Sequence, residues 1–148
     1  MLRSKTCLTD VNVWLAVATE RHEHHGVARA WLFSLGEEGA AFCRITQMGF
    51  LRLLTSPAAM GQDAVGAMEA WRHYTSLRND WRVTFASEPA GLEQVWMALL
   101  RAAPGARFWT DAYLAAFAIA HGYTLVSFDQ GFRRWANLRF LLLGGPHL

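Results

Sequence analysis

Apolar residues fall along the chain in two alternating patterns. Short, continuously apolar runs occupy residues 6–9, 40–43, 124–128 and 138–142, and a weaker alternating one occupies residues 81–85. Between these runs apolar side chains recur at three- and four-residue spacing, the period of a helix with one buried face. Val11–Ala18 is the first such stretch. Ala28, Trp31, Leu32 and Leu35 mark the second, closed by Gly36. Thr46 is positioned as the N-cap of a third, which carries Phe50, Leu51, Leu53 and Leu54 and ends at Ser56-Pro57. Asp63 is read as the cap of the next, through Ala67, Met68, Trp71 and Tyr74. Residues 92–100 and 110–121 are helical, the first broken by Ala103-Pro104-Gly105 and the second by Gly122, which suits a left-handed cap. Residues 129–135 make a last short helix.

Strands that are apolar throughout, separated by helices, imply a parallel sheet covered on both faces. The expectation is an α/β, three-layer fold with a central parallel sheet of about five strands. One domain spans residues 1–148, with a short disordered tail from about residue 143. In such folds ligands bind beyond the carboxyl ends of the strands.

Composition narrows the reading. Hydrophobic residues make up 53% of the chain and charged residues 18%, which supplies a core and excludes global disorder. Seven Trp and nine Phe crowd a chain of 148 residues, so part of this aromatic surface is expected to face a partner. A net charge of +2 permits contact with a polyanion but excludes a nucleic-acid-coating protein. Cys7 and Cys43 are too few for a disulfide framework and read as buried thiols of a reducing compartment. Asp10 and Asn12 interrupt the N-terminal apolar stretch before it could act as a leader, and no run reaches the roughly 20 apolar residues of a membrane helix. A soluble, cytoplasmic protein with no membrane partner is expected.

The acids carry the chemistry. Asp10 closes the first strand, Asp129 closes the fourth, and Asp111 lies in the first turn of the helix before that strand. Taken singly, each reads as a cap that complements a helix dipole. Taken together, in this fold order, they can face one crevice. Carboxylate oxygens are hard ligands for Mg²⁺ or Mn²⁺. Three carboxylates brought together repel one another and should raise at least one pKa, so the arrangement calls for a counter-ion.

The stretches Leu8-Thr9-Asp10-Val11-Asn12-Val13-Trp14-Leu15, Thr110-Asp111-Ala112-Tyr113-Leu114-Ala115-Ala116 and Val126-Ser127-Phe128-Asp129-Gln130-Gly131-Phe132 resemble the three acidic motifs of PIN-domain proteins. More closely, they resemble those of VapC-type toxins of toxin–antitoxin modules. The similarity runs from about residue 6 to residue 142, in order and in register. It implies a PIN-like fold, often dimeric, and metal-dependent endoribonuclease activity as the toxin of a type II toxin–antitoxin module. The implied cofactor is Mg²⁺, with Mn²⁺ able to substitute. The implied partners are an RNA substrate, a second copy in a homodimer, and a small VapB-type antitoxin whose tail enters the active site. Carried over residue by residue, Asp10, Asp111 and Asp129 are the catalytic, metal-binding acids. Asn12 supports Asp10 by hydrogen bonding and Ser127 is a polar helper. Arg52 stands where the family often has an arginine.

One departure stands out. The family's second motif is a Ser or Thr followed three residues later by Glu; here Thr46-Gln47-Met48-Gly49 puts Gly49 at the glutamate position and leaves Gln47 as the nearest polar side chain. A site with one charge fewer should bind metal more weakly. The alternative is therefore a weakened or inactive PIN-like module that binds RNA or protein. An unrelated α/β phosphatase is weaker still, because position 12 is Asn and breaks the Asp-x-Asp pair such enzymes use.

Other groups are weighed against plainer roles. His22, His24 and His25 lack the i, i+4 spacing of zinc ligands on a helix and read as a solvated helix start. Trp109 is a candidate for stacking on a base and Arg133-Arg134, with Arg139 nearby, for contact with RNA phosphates; core packing and solubility are the plainer readings. No glycine-rich phosphate loop with a lysine occurs.

Overall fold

A computed structural model of the chain describes residues 4–144. Its strands are β1 (Cys7–Thr9), β2 (Ala40–Phe42), β3 (Val83–Phe85), β4 (Thr124–Ser127) and β5 (Phe140–Leu142). All neighbours pair in parallel, in the order β3-β2-β1-β4-β5. The helices are α1 (Val11–Ala18), α2 (His25–Phe33), α3 (Arg44–Leu54), the short α4 (Pro57–Met60), α5 (Ala67–Arg78), α6 (Leu92–Ala102) and α7 (Trp109–His121). This is the three-layer α/β arrangement that the apolar strand runs predict.

Successive strand side chains point to opposite faces, so each strand feeds both layers. Cys7, Ala40, Phe42 and Val126 pack under α1, α2, α3 and α5, whereas Leu8, Ala41 and Leu125 pack under α6 and α7. Trp14 and Phe42, both fully buried, stack with ring centroids 3.9 Å apart. Ala112, Ala115, Ala116 and Ala118 let α7 lie close against the sheet. Gly122 ends α7 with φ 73°, the left-handed cap expected of it. Cys7 and Cys43 are free and buried. Among the described residues no helix is long and apolar enough to cross a membrane.

Several boundaries differ from the sequence expectation. Cys43, not Thr46, is the N-cap of α3; Thr46 is its third residue and its Oγ1 accepts the Cys43 N–H at 2.9 Å. A side chain with both hydroxyl and methyl serves the reciprocal half of a capping box as readily as the cap itself. Pro57 does not terminate the third helix but opens α4, where a missing N–H costs nothing. Asp63 caps no helix: it lies in a 3-10 turn and meets Arg21 at 3.7 Å, and Gly66 precedes α5. Trp81 lies before β3 and is exposed, and residues 130–134 form a 3-10 rather than an α turn. Residue 143 does not belong to a disordered tail. Leu143 is buried and its N–H bonds to the Ser127 carbonyl at 2.9 Å; residues 145–148 of the expected tail lie outside the described residues.

Gly49 marks where α3 crosses α1. A Cβ there would sit 2.8 Å from Val11 Cγ2, a methyl on a stiff β-branched side chain. Gly49→Ala should therefore destabilise the fold by about 1–2 kcal/mol, because overpacking outweighs the roughly 1 kcal/mol gain in helix propensity. A thermal melt no lower than that of the parent would show that the crossing has slack.

Candidate active site

The sheet changes direction of winding at β1: β2 and β3 lie to one side, β4 and β5 to the other. Ligand crevices open outside the carboxyl ends of the strands at such a switch point. Asp10 sits there as the N-cap of α1, its Oδ1 accepting the Val11 N–H at 2.8 Å. Its backbone N–H is tied to the Val126 carbonyl across the β1–β4 pair at 2.9 Å. Ser127, fully buried at the end of β4, donates its hydroxyl to Asp10 Oδ2 at 2.7 Å, the short distance of a bond to a charged acceptor.

Ser127 is the hub. While its one proton goes to Asp10, its lone pairs accept Asn12 Nδ2 at 3.1 Å and the Asp129 N–H at 2.9 Å. Asn12 Oδ1 accepts the Phe128 N–H at 3.3 Å, which holds the loop after β4. Asn12 therefore supports Asp10 through Ser127, not by the direct bond expected from sequence. Asp129 accepts the Gly131 N–H at 2.8 Å and caps the 3-10 turn. Each acid thus caps or opens a helical turn, and Asp10 and Asp111 also line a cleft, so for these two capping does not exclude a place in the site.

Asp10 and Asp111 line one cleft of about 780 Å³ with Val11, Gly49, Arg52 and Thr110. Its far limb is apolar, with Met48 and Trp71 exposed. The acids act on one another. Burial pushes the Asp10 carboxyl above the ordinary carboxylate range, against the bonds from Ser127 and Val11, and the charges of Asp111 and Asp129 push it further. Asp111 is raised by burial and by Asp129, while Arg134 draws it back. Among the described residues no group of three His, Cys, Asp or Glu side chains stands close enough to enclose a metal by itself. Hard oxygen donors spread over three elements fit an ion that keeps several of its waters and is completed by substrate phosphate, the habit of Mg²⁺.

The remaining candidates separate. Arg52 lines the acid cleft. Thr46 is absorbed in capping α3, and Gln47, nearly buried, accepts from the Arg44 guanidinium and does not line the cleft. Trp109 lines a neighbouring cavity. Of the Arg133-Arg134 pair, Arg133 is exposed and Arg134 is the one whose charge reaches the acids. The signal for it was Gly131: a Cβ there would lie 3.0 Å from Asp129 Oδ1 and 3.2 Å from Arg134 Nη2, so glycine makes room for both side chains. Arg139 bonds the Gly122 carbonyl instead.

Ser127→Ala should lower activity and divalent-metal affinity together by about 10- to 100-fold, the usual effect of removing a group that orients a ligand. Unchanged metal affinity in this variant would mean that Asp10 is positioned by its helix alone.

The model of the PIN domain family matches residues 7–138. Ribonuclease VapC41 of Mycobacterium tuberculosis is 42% identical over 142 residues, covering 92% of this chain and 97% of the relative. Among solved structures, VapBC2 from Rickettsia felis, bound to a DNA fragment from its promoter, superposes with a TM-score of 0.68 at 13% identity, over 93% of this chain and 98% of the other. VapC20 of M. tuberculosis, a Sarcin-Ricin loop cleaving toxin, superposes with a TM-score of 0.65 at 19% identity, over 86% and 93%.

Proposed function

Because the chain belongs to the PIN-domain family, and to its VapC branch through a relative 42% identical along nearly its whole length, we propose that it is a metal-dependent endoribonuclease, the toxin of a type II toxin–antitoxin module. The observation that carries this reading is the electrostatic field that Asp10, Asp111 and Asp129 share near the β1–β4 switch point, with Asp10 and Asp111 lining one cleft. These three acids would hold a divalent ion, Mg²⁺ with Mn²⁺ as substitute. Bound there, it supplies Lewis-acid polarisation of a phosphate and a more acidic water.

The chain's own groups do the positioning. Ser127 fixes the direction of the Asp10 carboxylate and, by the same hydroxyl, the backbone of Asp129, so the two acids keep their separation as a unit. Arg134 offsets the charge of Asp111, and Arg52 on the cleft wall is placed to meet the RNA backbone. Hydrolysis forms a bond from water oxygen to phosphorus and breaks the bond to the 3′ oxygen, leaving a 3′-hydroxyl and a 5′-phosphate.

The apolar limb of the cleft, with Met48 and Trp71 exposed, suits a segment of a small VapB-type antitoxin lying toward the acids. The protein works in the cytoplasm as a homodimer of one-domain chains, and free buried thiols are in keeping with that compartment. The rival, an inactive binding module, drew on Gly49 as a lost ligand. The tight approach of Val11 gives that glycine a packing role, and the relative at 42% identity, a ribonuclease by name, favours the nuclease over the rival. RNA incubated with the antitoxin-free protein should be cut with Mg²⁺ and left intact with chelator. RNA that is bound equally well in both and never cut would overturn the reading.

A further inference from the structure

A second cavity, of about 570 Å³, opens on the other side of the first turn of α7. Trp109 and Tyr113, one helical turn apart, form one wall and Trp96 of α6 the other. Trp96 meets both rings edge to face, at 5.8 Å and 5.3 Å, and its Nε1 donates to the Trp109 carbonyl at 3.0 Å. Trp109 is thus an indole fixed in place yet 55% exposed, which is the condition of a stacking platform rather than of a core residue.

The polar end of the cavity is an acceptor beside a donor. Tyr113 donates its hydroxyl to Glu88 Oε1 at 2.9 Å. Oε2 of Glu88 has no hydrogen-bond partner among the described residues. Arg44, whose guanidinium lies over the Phe85 ring, completes the lining. A carboxylate in the slot repels phosphate, so the fitting occupant is a flat, uncharged ring bearing adjacent donors for Glu88 and acceptors for Arg44. Of the four RNA bases only guanine has both, N1–H and N2–H₂ on one edge and O6 and N7 on another.

Ile45 and Thr110 line this slot and the acid cleft alike. On a helix of about 3.6 residues per turn Asp111 faces away from Trp109 and Tyr113, so a strand crossing the ridge of Ile45 and Thr110 reaches from one cavity to the other. We infer that the Trp96–Trp109–Tyr113 slot holds an unpaired guanine of the RNA, one or two nucleotides from the phosphate at the acids, with Glu88 and Arg44 reading its edges. This rests on the nuclease reading, and it assigns that reading a base preference.

Binding and cutting test it separately. In chelator, quenching of tryptophan fluorescence should show a hexanucleotide of five adenines and one guanine binding at least ~5-fold tighter than hexa-adenylate, and Glu88→Gln should erase the difference. With Mg²⁺ and a randomised RNA, cuts should fall at a fixed offset from guanine. Trp109→Ala should raise KM by roughly 5- to 100-fold with kcat little changed, as expected for loss of one stacked base. Cleavage without base preference, unaltered by Glu88→Gln, would overturn the slot and leave the nuclease standing. Guanine-selective binding with no cleavage under any divalent ion would uphold the slot and overturn the nuclease. If Trp109→Ala turns a dimer into monomers and leaves RNA binding unchanged, this face is an interface between copies and the guanine assignment falls.

Discussion

Asp111→Asn should reduce magnesium-dependent RNA cleavage by at least ~10³-fold, and expression of the variant without an antitoxin should no longer arrest growth. The carboxylate would hold the ion, and the ion's stabilisation of developing negative charge is worth several kcal/mol in the transition state, which is this loss in rate. The substitution is close to isosteric, and Asp111, in the first turn of α7, has no side-chain hydrogen bond to another described residue. Nothing in the fold is broken by it. One of three mutually repelling charges is removed, and with it the burial of a charged carboxyl, so the variant should be at least as stable to heat as the parent in chelator. Full activity in a variant with a parental melting curve would remove Asp111 from the site and leave two acids to hold the ion. Loss of activity with loss of fold would be uninformative for most residues. Here the melt separates the two cases.

What could be read from the sequence, and what could not, follows from the range of the interactions involved. The edge strands β3 and β5 are only partly buried. Strands β1, β2 and β4 are legible because nearly all their residues are buried, which leaves short runs rich in apolar side chains, such as Leu125-Val126 in β4. Asp10 and Asp129 are legible because they follow such runs directly. Helix starts were less so. Thr46 was mistaken for a cap because a hydroxyl can serve the cap position or the third residue after it, and only the backbone of Cys43 distinguishes them. Gly49 stands where the family has a glutamate, and its close approach to Val11, thirty-eight residues earlier, is a second role that the sequence does not show. No local pattern carries that information. Arg133 and Arg134 are indistinguishable in sequence; in a 3-10 turn residues three apart eclipse, so Arg134 lies over Gly131 and beside Asp129. The slot of Trp96, Trp109, Tyr113 and Glu88 draws on three separate segments, so its members looked like scattered aromatics.

The second large effect concerns stability, and it changes sign with the cation. Asp10 and Asp111 have folded-state pKa values above the ordinary carboxylate range, so over the interval between the two values the native state binds more protons than the unfolded chain. Stability then falls as pH rises through that interval and is recovered as pH drops back through the folded values. In chelator, the melting temperature should therefore gain from these two groups on mild acidification, in contrast to the loss that salt-bridged carboxylates produce. A divalent ion reverses the direction, because it favours the ionised acids. At neutral pH, Mg²⁺ at 100 times its Kd should add about 2.7 kcal/mol, or roughly 5–11 °C in melting temperature for a chain of this size. Asp10→Asn should flatten the acid response and abolish most of the magnesium shift, since it removes the ligand that Ser127 orients. A parent protein whose melting temperature ignores Mg²⁺, over concentrations that support cleavage, would mean that the ion arrives with the RNA. The acids would then complete its shell only in the substrate complex.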